Sequence, residues 1–573
     1  MKHYLLILFL VTISCTVNAR KTEVTTHTQI NNGSWSAGDT IVMKNGTWTD
    51  MSISFTAQGA LNNPVVLLAE KAGGVILNGS SKLSFAGKYI EINGLYFKDG
   101  TLSGADVVSF RISSSNVSEN CRLTNTTIEN YNPSLNTVDS KWVSIYGKNN
   151  KVDHCSFVNK NNSGTLLVVW LTSGVTVNHV ISNNYFGYRN SNKDASGSEL
   201  NGQEIIRVGD SNTSMTTAAV TVEGNFFEKC NGEIEVISNK SCGNLYKNNL
   251  FLECKGMLTL RHGNSCTVAG NYFFGNGISE SGGVRIIGEN HKVYNNYFDN
   301  LRGTNYRSAI CMVRGMENSV LNDYFQVKNA LVAFNTMVNC SQSFSINYNS
   351  SSSYKMPPIA SAIAHNHVYN TTTSSRTNVN INQTSVASLD LTWFNNLMNM
   401  GSYTSFSYNS SQVITGKDAK MELAGTTINM FEPGAGSALL DYTTTDYPEI
   451  NNDIRGRDRA LNKLPGASQL STIVTSQMPV KTEVGAPFYN NGTTAIQKVV
   501  ATNLFKIKNI NQNPVVESNL NGQLTVFDSS SKLIKTISIT NGLNSLSIER
   551  RGFLLFLFVS EDGQKQSEKI ILN

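Results

Sequence analysis

Apolar and polar positions alternate in short bursts along most of this chain, and Asn, Gly, Ser or Thr closes each burst. The pattern predicts many short β-strands joined by tight turns. One punctuation mark recurs: NNYF at Asn183, GNFF at Gly224, NNLF at Asn248, GNYF at Gly270 and NNYF at Asn295. Weaker copies follow His154, Phe334, His365 and Phe394. The aromatic position falls at Phe227, Phe251, Phe273 and Phe298, in steps of 24, 22 and 25 residues. A period in the twenties is the mark of a solenoid. The L-x-x-L-x-L pattern of leucine-rich repeats is absent, so the repeat reads as a parallel β-helix. Each coil would supply two or three strands, and equivalent positions would stack about 4.8 Å apart. Asn suits the turns because it tolerates the left-handed region and can form ladders.

The coils are expected over residues 25–455. Residues 456–489, rich in Pro and Gly breakers, read as an exit segment or linker. Residues 490–573 change character, and GQLTVFDSSSKLIKTISI and GFLLFLFV read as strands of a small, separate β-sandwich. Eight apolar residues suit a core strand and are too few to span a bilayer. At the other end, Lys2 and His3 precede the apolar run Tyr4–Ile13 and the small-residue site Val17-Asn18-Ala19. Residues 1–19 are therefore expected to be a secretory signal, with cleavage before Cys15 as a lipoprotein as the alternative. No transmembrane segment is expected.

Charged residues make up only 15% of the 573, with a formal net charge of +5. That balance permits a polyanionic partner without demanding one, and nothing points to nucleic acid. None of the nine cysteines sits in a C-x-x-C pair, which excludes a zinc ribbon. Cys230 and Cys254 are 24 residues apart, as are Cys242 and Cys266. One coil separates each pair, so they are expected as inward stacks of small apolar side chains. Disulfides are the alternative.

Against this charge-poor background one stretch stands out. In NGEIEVISNK, Glu233 and Glu235 alternate and Lys240 follows five residues later. On a strand both carboxylates would share one face, with Ile234 and Val236 on the core side. Paired carboxylates on a rigid strand suit a hard cation, and equally a solvated face paired with lysines. One coil on come Arg261 and His262, then Arg285, while Asn201 and Arg207 lie upstream. Spacing alone takes this to a polyanion-binding groove with metal assistance as an option.

The stretch from NGEIEVISNKS through LRHGN and GGVRIIG to NNYFDNLRG closely resembles polysaccharide lyase family 6, the alginate lyases and chondroitinase B. The similarity covers most of 25–455 and is densest over 201–303. It implies a right-handed parallel β-helix and β-elimination on a uronate polymer. It implies Ca²⁺ held by Asn201, Glu233 and Glu235, Lys240 as base, Arg261 as acid, and substrate contacts from Arg207, His262 and Arg285. The C5 proton of a uronate is very weakly acidic, and its removal loads charge onto an existing anion. A cation at that carboxylate stabilises the charge. Alginate is the expected substrate, since a carboxylate on every sugar suits an additional Arg285. Chondroitin or dermatan sulfate is the alternative, and a non-catalytic polysaccharide-binding β-helix the reading from another class. The tail resembles the C-terminal sorting domains of type IX secretion substrates, which implies that machinery as a partner and a location outside the cell or on its surface; a periplasmic protein is the alternative.

Overall fold

The computed structural model describes residues 19–486, apart from 103, 194–195, 198–199, 350, 373–374, 383–388, 425–427 and 471–477. Beyond these it describes 505–510, 513–518, 521–528, 532–546, 552–560 and 565–572. The expected signal segment, up to residue 18, lies outside the described residues. The chain divides into two compact units, Met1–Thr493 and Thr494–Asn573.

The first unit is a right-handed parallel β-helix. Three sheets of 14 strands each run its length, and in the regular coils each turn gives one strand to each sheet. A typical coil comprises Leu245–Lys247, Leu250–Leu252 and Met257–His262. The N-N-x-F element is the corner between the first two of these. Its first residue takes the left-handed conformation, at φ +54° for Asn183, +55° for Asn248 and +54° for Asn295. Gly224 and Gly270 fill the same place at +65° and +67°. Asn and Gly tolerate that region best, which explains their interchange, and in the weaker copies His154, Phe334 and His365 are held there at +49°, +52° and +53°.

The second Asn turns inward. Each side-chain amide donates to the carbonyl oxygen of the next Asn: Asn225 to Asn249 at 3.0 Å, Asn249 to Asn271 at 2.9 Å, Asn271 to Asn296 at 3.0 Å. The ladder satisfies polar groups that would otherwise be orphaned at the bend. Beside it the expected aromatic column stands in register. Phe157, Phe186, Phe227, Phe251, Phe273 and Phe298 stack with ring centroids 5.1, 5.0, 4.7, 4.5 and 4.8 Å apart. These spacings are the strand separation of a sheet.

One cysteine pair behaves as the period predicts and the other does not: around Cys242 the coils pair with an offset of 22 residues, Lys240 with His262 and Leu245 with Thr267, so Cys266 stands opposite Asn244 and enters the core while Cys242 accepts from Asn264 N–H outside it. Cys230 and Cys254 donate to the carbonyls of Phe186 and Phe227, which are themselves paired on adjacent coils. All eight described cysteines are free and buried, so the disulfide alternative fails for them. Burial pushes several of these thiols above the ordinary range, Cys266 to about 12.

Residues 456–489 are not a free linker over their described part. After the hairpin Met421–Ala424 with Met430–Pro433, the chain runs back along the outside of the coils. Gly466 N–H donates to His365 at 2.8 Å, Ala467 N–H to Thr336 at 2.8 Å, Gly485 N–H to His154 at 2.8 Å and Ala486 N–H to Thr127 at 2.9 Å. A buried network fastens the start of this strap: Arg455 pairs with Glu432 at 2.7 Å, and Arg457 with Glu432 at 2.9 Å and Asp453 at 2.7 Å.

The second unit has a three-stranded and a four-stranded antiparallel sheet. Phe505 and Val516 of one and Leu524, Val526, Leu554, Phe556 and Phe558 of the other share one core, as in a sandwich. GFLLFLFV is a strand of that core, Gly552–Ser560. No helix among the described residues is long and apolar enough to cross a membrane.

Candidate active site

Six of the expected site residues, Arg207, Glu235, Lys240, Arg261, His262 and Arg285, gather on one sheet, on the adjacent strands Ile206–Val208, Glu235–Lys240, Met257–His262 and Val284–Ile286, while Asn201 and Glu233 lie in bends ahead of the first two. Arg207, Ser238, Thr259 and Arg285 stand in one register row across them. Ile206, Ile237, Leu258 and Val284, in the next row, enter the core.

Simple alternation fails at both ends of the central strand. The pairing slips between Glu235 and Ile237, and again beyond Asn239, so Arg261 becomes an extra residue opposite Asn239–Lys240. Such bulges re-aim side chains. Glu233 and Ile234 lie in a bend ahead of the strand. Ile234 therefore does not enter the core as alternation predicts. It lines a surface cavity of about 170 Å³ with Arg285, Tyr306, Val313, Tyr324 and Tyr348. Val236 does enter the core.

Glu233 and Glu235 meet as expected, with a third carboxylate that the sequence reading missed. Oxygens of Glu204, Glu233 and Glu235 lie within 4.8 Å of one another. The signal was present: EIIRV at Glu204 pairs with EVISN at Glu235 through Ile206 and Ile237, so the two glutamates are equivalent positions on neighbouring coils. Burial and then the charges of Glu204 and Glu235 push the Glu233 carboxyl up to about 8, against the N–H groups of Gln203 and Gly202. Those N–H groups donate to Glu233 at 3.1 and 2.9 Å. Asn201 is exposed, and its side-chain oxygen accepts from Gly202 N–H at 2.9 Å. It stands beside the cluster through this turn, because the same Gly202 N–H also donates to Glu233.

Positive charge surrounds the carboxylates. Arg285 pairs with Glu235 and is buried. Lys240 Nζ lies 4.0 Å from Glu204, with a fifth of its side chain exposed (19%). Buried Arg189 lies behind, its guanidinium held by the carbonyls of Glu204, Gly164 and Asn162 at 2.9, 2.8 and 3.1 Å. Burial lowers it to about 10. Arg261 stands over the Tyr324 ring at 4.4 Å. Burial lowers its guanidinium below the ordinary value, Glu235 opposes this and Arg285 adds to it. His262 is enclosed, its Nδ1 3.2 Å from the Asp323 carbonyl. Burial, Arg261 and Lys240 push it down to about 4, so it is neutral near pH 7. Arg207 sits one strand from Lys240, over Trp170 at 5.2 Å.

Three clustered carboxylates, one of them forced towards its neutral form, are a donor set that a metal cation would relieve. Hard oxygen ligands at the bend of a rigid strand fit a divalent ion of the Ca²⁺ type. Lys240, the stacked Arg261 and the three carboxylates thus share one open face of a parallel β-helix.

Comparison with known proteins agrees with this architecture. The family model described as Chondroitinase B matches residues 22–427, and the chain belongs to that family, polysaccharide lyase family 6. The solved PL6 family alginate lyase AlyGC is 32% identical with a TM-score of 0.66, over 73% of this chain and 55% of that one. The chain thus spans little more than half of AlyGC. A mannuronic acid specific family 6 lyase from human gut microbiota is 28% identical with a TM-score of 0.60, over 68% of this chain and 89% of that one. Pedsa3628 from Pseudopedobacter saltans, a PL6 family polysaccharide lyase, is 29% identical with a TM-score of 0.58, over 66% and 92%. Among curated proteins none matches the chain.

Proposed function

We propose that this protein is a polysaccharide lyase that cleaves alginate by β-elimination, leaving 4,5-unsaturated oligosaccharides. The observation that carries the reading is the meeting of Lys240, Arg261 and three carboxylates on one face of the sheet. Glu204, Glu233 and Glu235, with Asn201 at their edge, would hold Ca²⁺, which when bound neutralises the substrate carboxylate and so acidifies its C5–H. Lys240, in its neutral form, accepts the C5 proton. Arg261 faces the departing 4-oxygen and returns a proton as the bond breaks. Its burial and the neighbouring Arg285 make it a better donor than a guanidinium in water. Arg285 fixes Glu235, and the neutral ring of His262 fills the floor beside Lys240. Arg207 offers a guanidinium to a further carboxylate. Alginate as substrate is supported by the alginate and mannuronate specificities of the similar enzymes.

The test is incubation with alginate and, separately, dermatan sulfate while the ultraviolet absorbance of the conjugated C4–C5 double bond is followed. Lys240→Ala is expected to lower the rate by more than the roughly 10²–10⁴-fold typical of a general acid–base group. Absorbance with dermatan sulfate alone would move the substrate to the sulfated polymers. No absorbance with either would refute elimination.

The tail is proposed to direct export across the outer membrane after an N-terminal signal. A chain lacking 490–573 should retain lyase activity and stay in the periplasm. Its arrival at the cell surface would make the tail an accessory module.

A further inference from the structure

The face that carries Lys240 continues towards the N-terminus as a ladder of cations and rings. Arg207 lies over Trp170 at 5.2 Å, Trp170 stacks on Tyr146 at 6.0 Å and 9° between planes, and Arg111 caps Tyr146 at 3.7 Å. The order follows the coils. Trp170 follows the strand Leu167–Val169, Tyr146 follows Val143–Ile145, and Arg111 lies just beyond Val108–Ser109. These strands succeed one another on the same sheet. Trp170 is held in place by its indole N–H, which donates to Ser144 Oγ at 3.2 Å. The ladder borders a cavity of about 780 Å³ whose lining includes Arg111, Tyr146, Lys148, Trp170 and Leu171.

Two features make this more than packing. Tyr146, Trp170 and Arg111 are only half-buried, so the ring edges and the outer guanidinium stay accessible although the ring faces are taken up within the ladder. And neither Arg111 nor Arg207 has a carboxylate partner among the described residues, whereas Arg122, Arg285, Arg307, Arg455 and Arg457 each do. Arg207 Nε is buried without a hydrogen-bond partner. A guanidinium stacked on a ring keeps its N–H edge free, which is the geometry for gripping a carboxylate. Glu119, on the cavity wall, is already paired with Lys88 at 3.2 Å, and Asp106 attracts Arg111 without forming an ion pair with it.

We infer that this ladder is an extended binding surface for further uronate residues of the polymer, with sugars lying against the open edges of Trp170 and Tyr146 and carboxylates on Arg207 and Arg111. From the Lys240 strand to the Tyr146 strand is three strand spacings, roughly 14 Å, which is longer than one sugar ring. The surface therefore engages sugars beyond those at the reacting bond, and it makes the enzyme favour long chains. This rests on the proposed lyase reading for the identity of the polymer.

The experiment uses the full chain and alginate oligomers of graded length. Wild-type kcat/KM for elimination is expected to rise with length. In Trp170→Ala the ratio of long-chain to short-chain kcat/KM should fall about tenfold, the scale of a ring contact with its share of a charged one. Trp170→Phe should keep most of the ratio, and Arg111→Gln should lower it. An unchanged ratio in Trp170→Ala, or Trp170→Phe behaving as Ala, would overturn the inference. Calorimetric binding of the same oligomers to Lys240→Ala, with and without Trp170→Ala, reads the surface without catalysis. An affinity loss that grows with length supports it and a loss independent of length, or none, refutes it, even if the wild type shows no elimination.

Discussion

Asn248 and Asn249 are the same residue type, adjacent, at one corner of one coil, and their replacement should have very unequal consequences. The Asn249 carbonyl oxygen accepts from Asn225 N–H and from the Asn225 side-chain amide, both at 3.0 Å. Its own amide donates to the Val222 carbonyl and the Asn271 side chain, both at 2.9 Å. All of this is buried. Asn249→Ala leaves Asn225 N–H and one proton of the Asn225 amide without an acceptor, and removes a donor from Val222. Each buried orphan costs about 1–3 kcal/mol. Water entering the space left by the amide offsets part of that, so the expected loss is about 3–5 kcal/mol. Asn248 instead sits at φ +55°. Gly occupies the equivalent corners at 224 and 270. Asn248→Gly exchanges relief of that conformation for unfolded-state entropy, within about 1 kcal/mol of neutral. Denaturant unfolding of both variants, followed by circular dichroism, measures the difference. Equal losses, or an Asn249→Ala loss below about 1 kcal/mol, would refute the claim that the ladder rather than the turn fixes the coil.

Two further outcomes follow from the site and the core. Glu204→Gln removes one charge of the three-carboxylate cluster and should weaken calcium binding, measured by titration calorimetry, by at least about tenfold, a loss that even outer partners of a metal produce; unchanged affinity would leave Glu204 outside the cation site. Acid should destabilise the protein through its enclosed histidines. His291 accepts from Cys266 N–H at 3.1 Å, lies 2.9 Å from the Ile287 carbonyl, and is pushed down to about 4 by burial. Its folded value lies below the unfolded one, so its stabilisation is complete above about 6.5 and is lost as the pH falls towards 4, by up to roughly 3 kcal/mol. Melting temperature measured against pH should fall through that window, and less steeply in His291→Asn if that variant stays folded; a slope unaltered by the substitution would place the acid lability elsewhere.

The repeat was legible because it is one-dimensional. A coil sees only its neighbours, so the spacing of Phe227, Phe251, Phe273 and Phe298 sets which rings meet, and they do meet. The same local logic placed Cys230 over Cys254, and put Arg207 and Arg285 in one row. Three things were beyond it. Strict alternation sent Ile234 inward, but a bulge depends on how two strands share their hydrogen bonds and not on the sequence of one, and Ile234 faces the groove. Glu204 lies 31 residues before Glu235, across an insertion that breaks the period; only the closed pairing of Ile206 with Ile237 brings the carboxylates together. And 456–489 carried breakers typical of an exit segment or linker, yet its described residues bond to the coils, whose outer face offers carbonyls and hydroxyls to Gly466, Ala467, Gly485 and Ala486. Sequence determined what repeats, since stacking is a nearest-neighbour interaction. Tertiary structure decided where the repeat is broken and what the breaks bring together, because bulges, insertions and a returning strap are contacts between segments that no single period encodes.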